Sequence, residues 1–369
     1  MKNLLNSLSK RENATLKDLV FFQRGFDITQ AEQVEGNIPV ISSSGVTSYH
    51  SKSKATGPGV IIGRKGTLGT VFYSKSDYWP HDTTLWSKNL KKNNPRFVYY
   101  FIKTLKLENY NVGNANPTLN RNHIHNLKIR IPENGEQEKI AAVLSAYDDL
   151  IDTNRRRIQL LEESARLLFR EWFVYFKFPG HEKVKIIKDG ISKIPERWVK
   201  EKVVNVLKRV APGELYDQTT AEPTGSVPIL DQGQSGIIGY HNNEPSVIAS
   251  FDNPVIVFAN HTCNQRIIHF PFSAIQNIFP FLPSDINYRN IYWLHYATDN
   301  LVQLNAYKGH WPEFMAKSIL LPPEDLCEEF GNIISLIHKQ IFNSTIQNQL
   351  LAQARDLLLP RLMSGKIEV

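Results

Sequence analysis

Gly63, Gly66 and Gly69 fall three residues apart, with the cations Arg64 and Lys65 between the first pair. A glycine loop flanked by cations could hold a phosphate, because backbone N–H groups and side-chain charge then converge on one anion. The spacing matches neither a dinucleotide fingerprint nor a Gly-x-x-x-x-Gly-Lys-Ser/Thr loop. A tight turn between two strands explains the same glycines, and both explanations stay open. Other residues suit nucleic acid. Arg64, Lys65, Arg121 and Lys308 could meet phosphates or guanine edges. Asn116, Asn120, Asn260, Asn264, Gln232 and Gln234 have the amide geometry for adenine, and Thr67 and Thr118 suit phosphates or thymine methyls. His261 and Arg266, in the same stretch as Asn260 and Asn264, complete the set. Each alone is an ordinary surface residue, and only their clustering in inter-strand loops singles them out.

Residues for catalysis do not assemble. The chain lacks a phosphate loop and the Asn/Asp-Pro-Pro-aromatic motif of an amino-methyltransferase, so neither nucleotide hydrolysis nor base methylation is expected of it alone. His123 and His125 make a weak metal pair without paired cysteines. Cys263 near His261 has no base and orienting group at a suitable spacing. No residue is assigned to catalysis or to a metal.

Charge narrows the partners. The net charge of +7 is uneven: residues 1–133 carry 19 Lys and Arg against 9 Asp and Glu, whereas 193–322 carry 10 against 11. A basic first half favours a polyanion, because neutralised phosphates release counterions. The neutral second half opposes symmetric binding by charge alone. The two cysteines, Cys263 and Cys327, exclude a disulfide framework and suit the cytoplasm. No apolar run approaches the roughly 18 residues of a membrane span, and the start turns polar too soon for a signal peptide.

The elements that must position these residues occur twice. Val60-Ile61-Ile62 and Thr70-Val71-Phe72-Tyr73 are apolar, β-branched runs bounded by glycine and predict strands. Phe97, Tyr100, Phe101 and Leu105 have helical spacing, and Lys128 to Ile131 predicts a closing strand. In the second half Val227-Pro228-Ile229-Leu230 answers Ile38-Pro39-Val40-Ile41, Val255-Ile256-Val257 answers Val60-Ile61-Ile62, and Ile291-Tyr292-Trp293-Leu294 answers the aromatic helix.

Each half ends in a long amphipathic pattern, from about 136 to 176 and from about 323 to 363. A shift of 190 lays Ile151 on Ile341, Leu160 on Leu350 and Leu167 on Leu357. The first predicts a seam of Ile140, Val143, Tyr147, Leu150, Ile158, Leu161, Ala165, Leu168 and Trp172, with Asn154 at a stutter. The second shows Phe330, Ile333, Ile337, Ile341, Leu351, Leu357 and Leu358 around a polar middle, Asn343 to Gln349. Paired antiparallel, the polar centres would meet and fix register. A helix of roughly 40 residues spans about 60 Å, enough to hold two heads apart. The division expected is 1–133, a first recognition domain; 134–178, a helical spacer; 179–322, a second recognition domain; and 323–369, a second helical spacer.

Several segments resemble the specificity (S) subunit of type I restriction–modification enzymes. They are Glu136-Gln137-Glu138-Lys139-Ile140-Ala141-Ala142-Val143-Leu144-Ser145 with Asp148-Asp149 and Asn154-Arg155-Arg156; Leu160-Leu161-Glu162-Glu163 to Leu168-Phe169-Arg170-Glu171-Trp172-Phe173; and the end, Arg355-Asp356-Leu357-Leu358-Leu359-Pro360-Arg361-Leu362-Met363-Ser364-Gly365-Lys366-Ile367. Asn116-Pro117-Thr118-Leu119-Asn120-Arg121 and Ile61-Ile62-Gly63-Arg64-Lys65-Gly66-Thr67-Leu68-Gly69 resemble parts of that family's target-recognition domain. The second half departs from it, with Gly309-His310-Trp311-Pro312-Glu313-Phe314 and Phe258-Ala259-Asn260-His261 at the corresponding places.

The resemblance implies an α/β chain of two tandem target-recognition domains, separated by a pair of long antiparallel coiled-coil-like helices with pseudo-two-fold symmetry. It implies double-stranded DNA as partner, each domain docking on half of a bipartite, asymmetric target. It further implies two methyltransferase subunits on the helices, around Ile140, Tyr147, Asn154, Leu161, Trp172, Ile337, Ile341, Leu351 and Leu358, and restriction-translocase subunits beyond them. S-adenosylmethionine, ATP and Mg would sit on those partners, with no cofactor on this chain. A flipped adenine would be methylated by the partner. The alternative is a coiled-coil scaffold that organises proteins without touching DNA. An enzyme fused to its own specificity domains is disfavoured by the missing motifs.

Overall fold

The glycine-bounded apolar runs are the central strands of two sheets. The computed structural model describes residues 11–110, 118–189, 192–233, 236–286, 288–304 and 308–369. Two compact units form, residues 1–154 with 346–369, and 155–345. Both long helices contribute to both units, so by packing each half-helix belongs to a head.

In the first unit, β1 (Glu12–Thr15) leads through α1 (Leu16–Leu19) to β2 (Phe21–Arg24). Next come β3 (Ile38–Ser42), β4 (Gly45–His50), β5 (Gly59–Gly63), β6 (Val71–Ser74), β7 (Trp79–Pro80) and β8 (Thr84–Asn89). Then follow α2 (Pro95–Thr104), α3 (Arg121–His125), β9 (Lys128–Ile131) and α4 (Asn134–Phe169). The sheets run β2-β8-β5-β6, β4-β3-β7 and β1-β9. Every residue of β5 is buried, which is why it reads as an unbroken apolar run rather than an alternation.

The second unit opens with the hairpin β10 (Ile186–Asp189) and β11 (Ser192–Pro195). It repeats the order with β12 (Val199–Lys202), α5 (Val203–Val206), β13 (Leu207–Arg209), β14 (Leu215–Tyr216), β15 (Val227–Leu230) and β16 (Ile237–His241). After these come β17 (Val255–Ala259), β18 (Gln265–Ile268), β19 (Ser273–Ile275), β20 (Ile278–Pro283), α6 (Ile291–Thr298), α7 (Trp311–Ala316), β21 (Ser318–Leu321) and α8 (Glu324–Ser364). Its sheets, β13-β20-β17-β18, β14-β19-β15-β16 and β12-β21, copy the first set and add β14. Even the bulge recurs, at Val40/Ile41 and at Ile229/Leu230. The mixed α/β class expected from the sequence holds.

Both aromatic helices start the same way. The Asn94 side chain accepts from the amides of Arg96 and Phe97, and that of Asn290 from Tyr292, so an asparagine satisfies the first-turn donors in each head. Helix α4 is anchored by Gln137, which is 1 % exposed. Its carboxamide accepts from Asn94 N at 3.1 Å and donates to Asn93 Oδ1 and Pro132 O at 2.8 and 3.0 Å.

Within the first unit, α4 and the end of α8 run antiparallel. Asn154, buried, donates to Gln347 and Asn348 at 2.9 and 3.0 Å, so the expected meeting of polar centres occurs here. Asp148 pairs with Arg355, and Arg11 ties Glu136 to the Leu362 and Met363 carbonyls. The seam is rotated from the one expected. Val143 and Leu150 are exposed, and Ala141, Leu144 and Ile151 are buried in their place. Ile140 is buried, and Tyr147, Leu351 and Leu358 are half-buried. The difference arises because α4 must bury residues against its head as well as against α8. In the second unit Ala165, Trp172 and Phe173 pack with Cys327, Phe330 and Ile334, while Leu161, Ile337 and Ile341 are half-buried. A π turn, Arg170–Val174, brings both Trp172 and Phe173 inside. No helix of the described residues is long and apolar enough to cross a membrane.

Three histidines meet inside the second unit, His269 after β18, His295 on α6 and His338 on α8, with ring centroids 5.5 Å (269–338) and 6.2 Å (295–338) apart. Tyr292 and Tyr296 lie 3.2 and 3.1 Å from His269 and His338. The Gln265 amide donates to His295 Nδ1 at 3.1 Å, which requires that nitrogen to be unprotonated. Burial pushes the three down to about 4, about 4 and about 3, and the nearby Arg166 charge adds to the effect at His295. Neutral in the folded chain, they gain protons on unfolding below their ordinary value near 6.5. Stability should therefore be level above pH 7 and fall as pH drops from about 6.5 to about 4, by up to about 3 kcal/mol for a fully buried ring. Melting of the intact chain at pH 7.5, 6 and 5 tests this. His338→Phe should flatten the dependence, and an unchanged slope would sever it from the cluster.

Candidate nucleic-acid interface

The loop after β5 is a clamped turn. Gly63 N donates to Thr70 O at 2.8 Å, Arg64 N and Lys65 N to Thr83 O at 2.8 and 3.1 Å, and Gly69 N to Gly63 O at 3.0 Å. These amides are taken, so they cannot cradle a phosphate. The glycines serve the turn: Gly66 and Gly69 both have φ of +73°, and a Cβ on Gly63 would lie 2.1 Å from Thr67 O. Arg64 O accepts from Leu119 N at 3.0 Å, and Lys65 pairs as an isolated bridge with Thr118. The loop and the segment leading into α3 are thereby one rigid piece.

A cleft of about 280 Å³ opens between them, bordered by Arg24, Arg64, Arg121, Asn120 and Asn122 and lined by the apolar Leu85 and Leu119. Arg64 is half-buried. Burial, then the neighbouring Arg24, holds its guanidinium below its ordinary value, and Asp82 opposes the shift. One of its terminal nitrogens is enclosed and has no hydrogen-bond partner. Arg24 is paired with Asp82 at 2.7 Å. Arg121 lies 5.9 Å over the Phe21 ring, and beneath it buried His125 accepts from Phe22 N at 3.0 Å. Asn120 is exposed, but its carboxamide oxygen caps α3 through Asn122 N at 2.9 Å. Lys65 and Thr67 are exposed and Thr118 is half-buried. Asn116 lies outside the described residues.

The same place in the second unit is built differently. His310 N donates to Asn260 O at 2.9 Å, the counterpart of the Leu119–Arg64 bond. Asn260 stands where Arg64 stands, one position on from the correspondence of Val255–Val257 with Val60–Ile62 expected from the sequence, and is buried, its side chain accepting from Trp311 N at 2.8 Å. Trp311, which opens α7 as Arg121 opens α3, packs among Phe258, Phe279, Phe281 and Phe314, with Arg209 stacked 4.5 Å over Phe279. Three residues singled out from the sequence thus belong to the frame of the loops. Asn260 is one. Gln232 accepts from His261 N at 2.8 Å. Arg266 is half-buried and donates to Gly236 O and Asp231 O at 2.8 and 2.7 Å. His261 Nδ1 sits 3.1 Å from Lys308 O, Lys308 points to Glu313 at 3.6 Å, and Asn264 is half-buried with its carbonyl bonded to Ala259 N. Gln234 lies outside the described residues.

The remaining chemical pairs do not converge. His123 is exposed while His125 is buried. Cys263 has its thiol pushed up by burial and by Glu313, the reverse of an activated nucleophile. Asp27, His81 and Asp82 bring ligand atoms within 4.8 Å of one another, yet Asp82 is held by Arg24 and His81 Nδ1 by Thr83 Oγ1 at 3.0 Å. Arg24, Asp82 and Asn122 had no local signal in the sequence; strand pairing alone brings Arg24 beside Arg64 across 40 positions.

Residues 9–163 match the type I restriction modification DNA specificity domain family. Over 300 residues, 74 % of this chain and 69 % of the relative, the chain is 25 % identical to the MjaIX specificity subunit of Methanocaldococcus jannaschii. It is 21 % identical to the HindI specificity subunit of Haemophilus influenzae over 68 % of this chain and 71 % of that one. Residues 9–163 thus carry a type I restriction–modification DNA specificity domain, and the chain as a whole is similar to specificity subunits. The crystal structure of such an S subunit from M. genitalium has the same fold, with a TM-score of 0.62 over 97 % of both chains at 14 % identity. The resemblance carried by 136–163 lies within the matched residues.

In the second unit the turn at Gly236 has no room for a side chain. Its φ is +73°, and a Cβ would lie 1.6 Å from Arg266 Nη1. Gly236→Ala should destabilise the chain by roughly 1–3 kcal/mol. Gly135→Ala, at an open helical position with nothing within 4 Å, should be neutral or stabilising by up to ~1 kcal/mol. Urea denaturation of the two variants measures the contrast.

Proposed function

We propose that this specificity subunit docks each of its two heads on one half of a bipartite, asymmetric DNA target and itself does no chemistry. The observation that carries the reading is the arginine-bordered cleft at the clamped loop of residues 63–70, within the matched residues and in the basic part of the chain. Arg64, Lys65, Thr67, Thr118 and Arg121 form the first contact surface, with Asn120 at its edge. In the second head the candidate contacts are Lys308, His261 and Asn264, on or beside loops that Asn260, Gln232 and Arg266 help to hold in shape. With Trp311 rather than Arg121 opening its short helix, this head relies less on charge.

The long helices take two methyltransferase subunits, with restriction-translocase subunits joining them. Supporting this, Leu160, Leu167 and Val174 are exposed at seven-residue intervals, as are Leu350 and Leu357, with Leu336 two heptads before. An aliphatic row left open to water is a surface for another protein. S-adenosylmethionine, ATP and Mg belong to those partners, and the assembly works in the cytoplasm. A scaffold without DNA would use the same leucines but has no use for three arginines around a cleft.

Adenine-methylation mapping in cells carrying this chain with its methyltransferase subunit tests the reading. Two short half-sites around a fixed gap should appear, and disappear when the chain is deleted. A methylome indifferent to the chain would leave the scaffold. The helices also set the gap in this reading, so removing one heptad from each should change the gap tolerated. An unaltered gap preference would refute that role.

A further inference from the structure

We propose that the cleft of the first head reads a guanine, with Arg64 as the residue that donates to its O6 and N7 edge. This rests on the DNA-recognition reading and names the base.

Four observations select a guanine edge over a phosphate. Arg64 is fixed on both sides by backbone bonds, its N–H to Thr83 O and its carbonyl from Leu119 N. A base reader needs one fixed geometry, which a phosphate contact does not. Among the cations and amides of the cleft lie Leu85 and Leu119, apolar surface that suits a flat base. The Asp82 carboxylate lies near Arg64. Arg24, bonded to that carboxylate, is held away from competing for the same acceptor. Finally, one terminal nitrogen of Arg64 is enclosed with no hydrogen-bond acceptor. The guanidinium fork matches two adjacent acceptors, and in the major groove only guanine offers O6 and N7 together. Asn120 does not supply the alternative, because two-way recognition of adenine needs the carboxamide oxygen that caps α3.

The test uses the full chain in complex with its methyltransferase subunit and duplexes carrying the mapped target. Each guanine of the target is replaced in turn by 7-deazaguanine, which lacks the N7 acceptor. One substitution should weaken binding of the native complex roughly ten-fold. Arg64→Ala should erase that difference, and its mapped methylation should become degenerate at that position of one half-site while the other half-site is unchanged. Arg64→Lys keeps the charge and loses the fork, so it too should fail to discriminate. If Arg64→Ala weakens all duplexes alike and Arg64→Lys restores binding, Arg64 meets a phosphate and the proposal is overturned. A target whose guanines all tolerate 7-deazaguanine overturns it as well, even if the alanine variant does not fold. A native complex without any sequence preference would instead remove the DNA-recognition reading.

Discussion

Complete burial of a central strand is the constraint from which both heads are hung. Every residue of β5 and of β17 is inside, so neither strand can slide or twist without exposing apolar surface at about 25 cal/mol per Å². The loops that leave their ends therefore start from a fixed point. In the first head that fixed point holds Arg64, and the bonds to Thr83 and Leu119 carry the rigidity outward into the cleft. A long, cationic side chain normally loses much rotamer freedom when it binds. Here part of that ordering is done when the chain folds.

The frame and the contact surface are made of different kinds of bond, and that separation lets the two heads diverge. The joint between loop and short helix is backbone to backbone in both, Leu119 N to Arg64 O and His310 N to Asn260 O. Such a bond is indifferent to the side chain above it. Arg64 could become Asn260, and the short helix could open on Arg121 in one head and on Trp311 in the other, without losing the joint. The consequences differ in sign. Trp311 gathers four phenylalanines and closes the space, whereas Arg121 over Phe21 leaves an open, charged one. The excess of positive charge in residues 1–133 is the composition-level trace of the same difference.

Much of the frame was legible in the sequence, because repeated apolar runs and long amphipathic stripes follow directly from burial. The two copies of the sheet set, the aromatic helices and both long helices appear where their spacing placed them. What escaped was whatever depends on three-dimensional neighbours. The stripe of α4 is rotated toward Leu144 and Ile151, because periodicity cannot tell a helix packed on one partner from a helix packed on two. Arg266 looks like a free surface cation and is instead half-buried and tied down, since the carbonyls that satisfy it belong to a turn 30 to 35 residues earlier. Arg24 looks unremarkable until strand pairing sets it beside Arg64. Residue type shows what a side chain could do, and only packing shows whether its hydrogen bonds are already taken.

The polar middle of the helices follows the same logic in reverse. Apolar contacts along two helices are nearly periodic, so a slip by one heptad would recover most of them. Asn154 is not so tolerant. Buried and bonded to Gln347 and Asn348, it would be left with an unsatisfied carboxamide after any slip, at about 1–3 kcal/mol. Asp148 would lose Arg355 at the same time, stranding a partly buried charge. These bonds add little to stability compared with leucines of the same volume, but they separate the native register of the first unit from its neighbours. Gln137 fixes the start of α4 on its head, so the register of α8 on α4 is also its register on the head. A head whose loop must present Arg64 in one geometry and a helix pair that admits one alignment are therefore parts of a single specification.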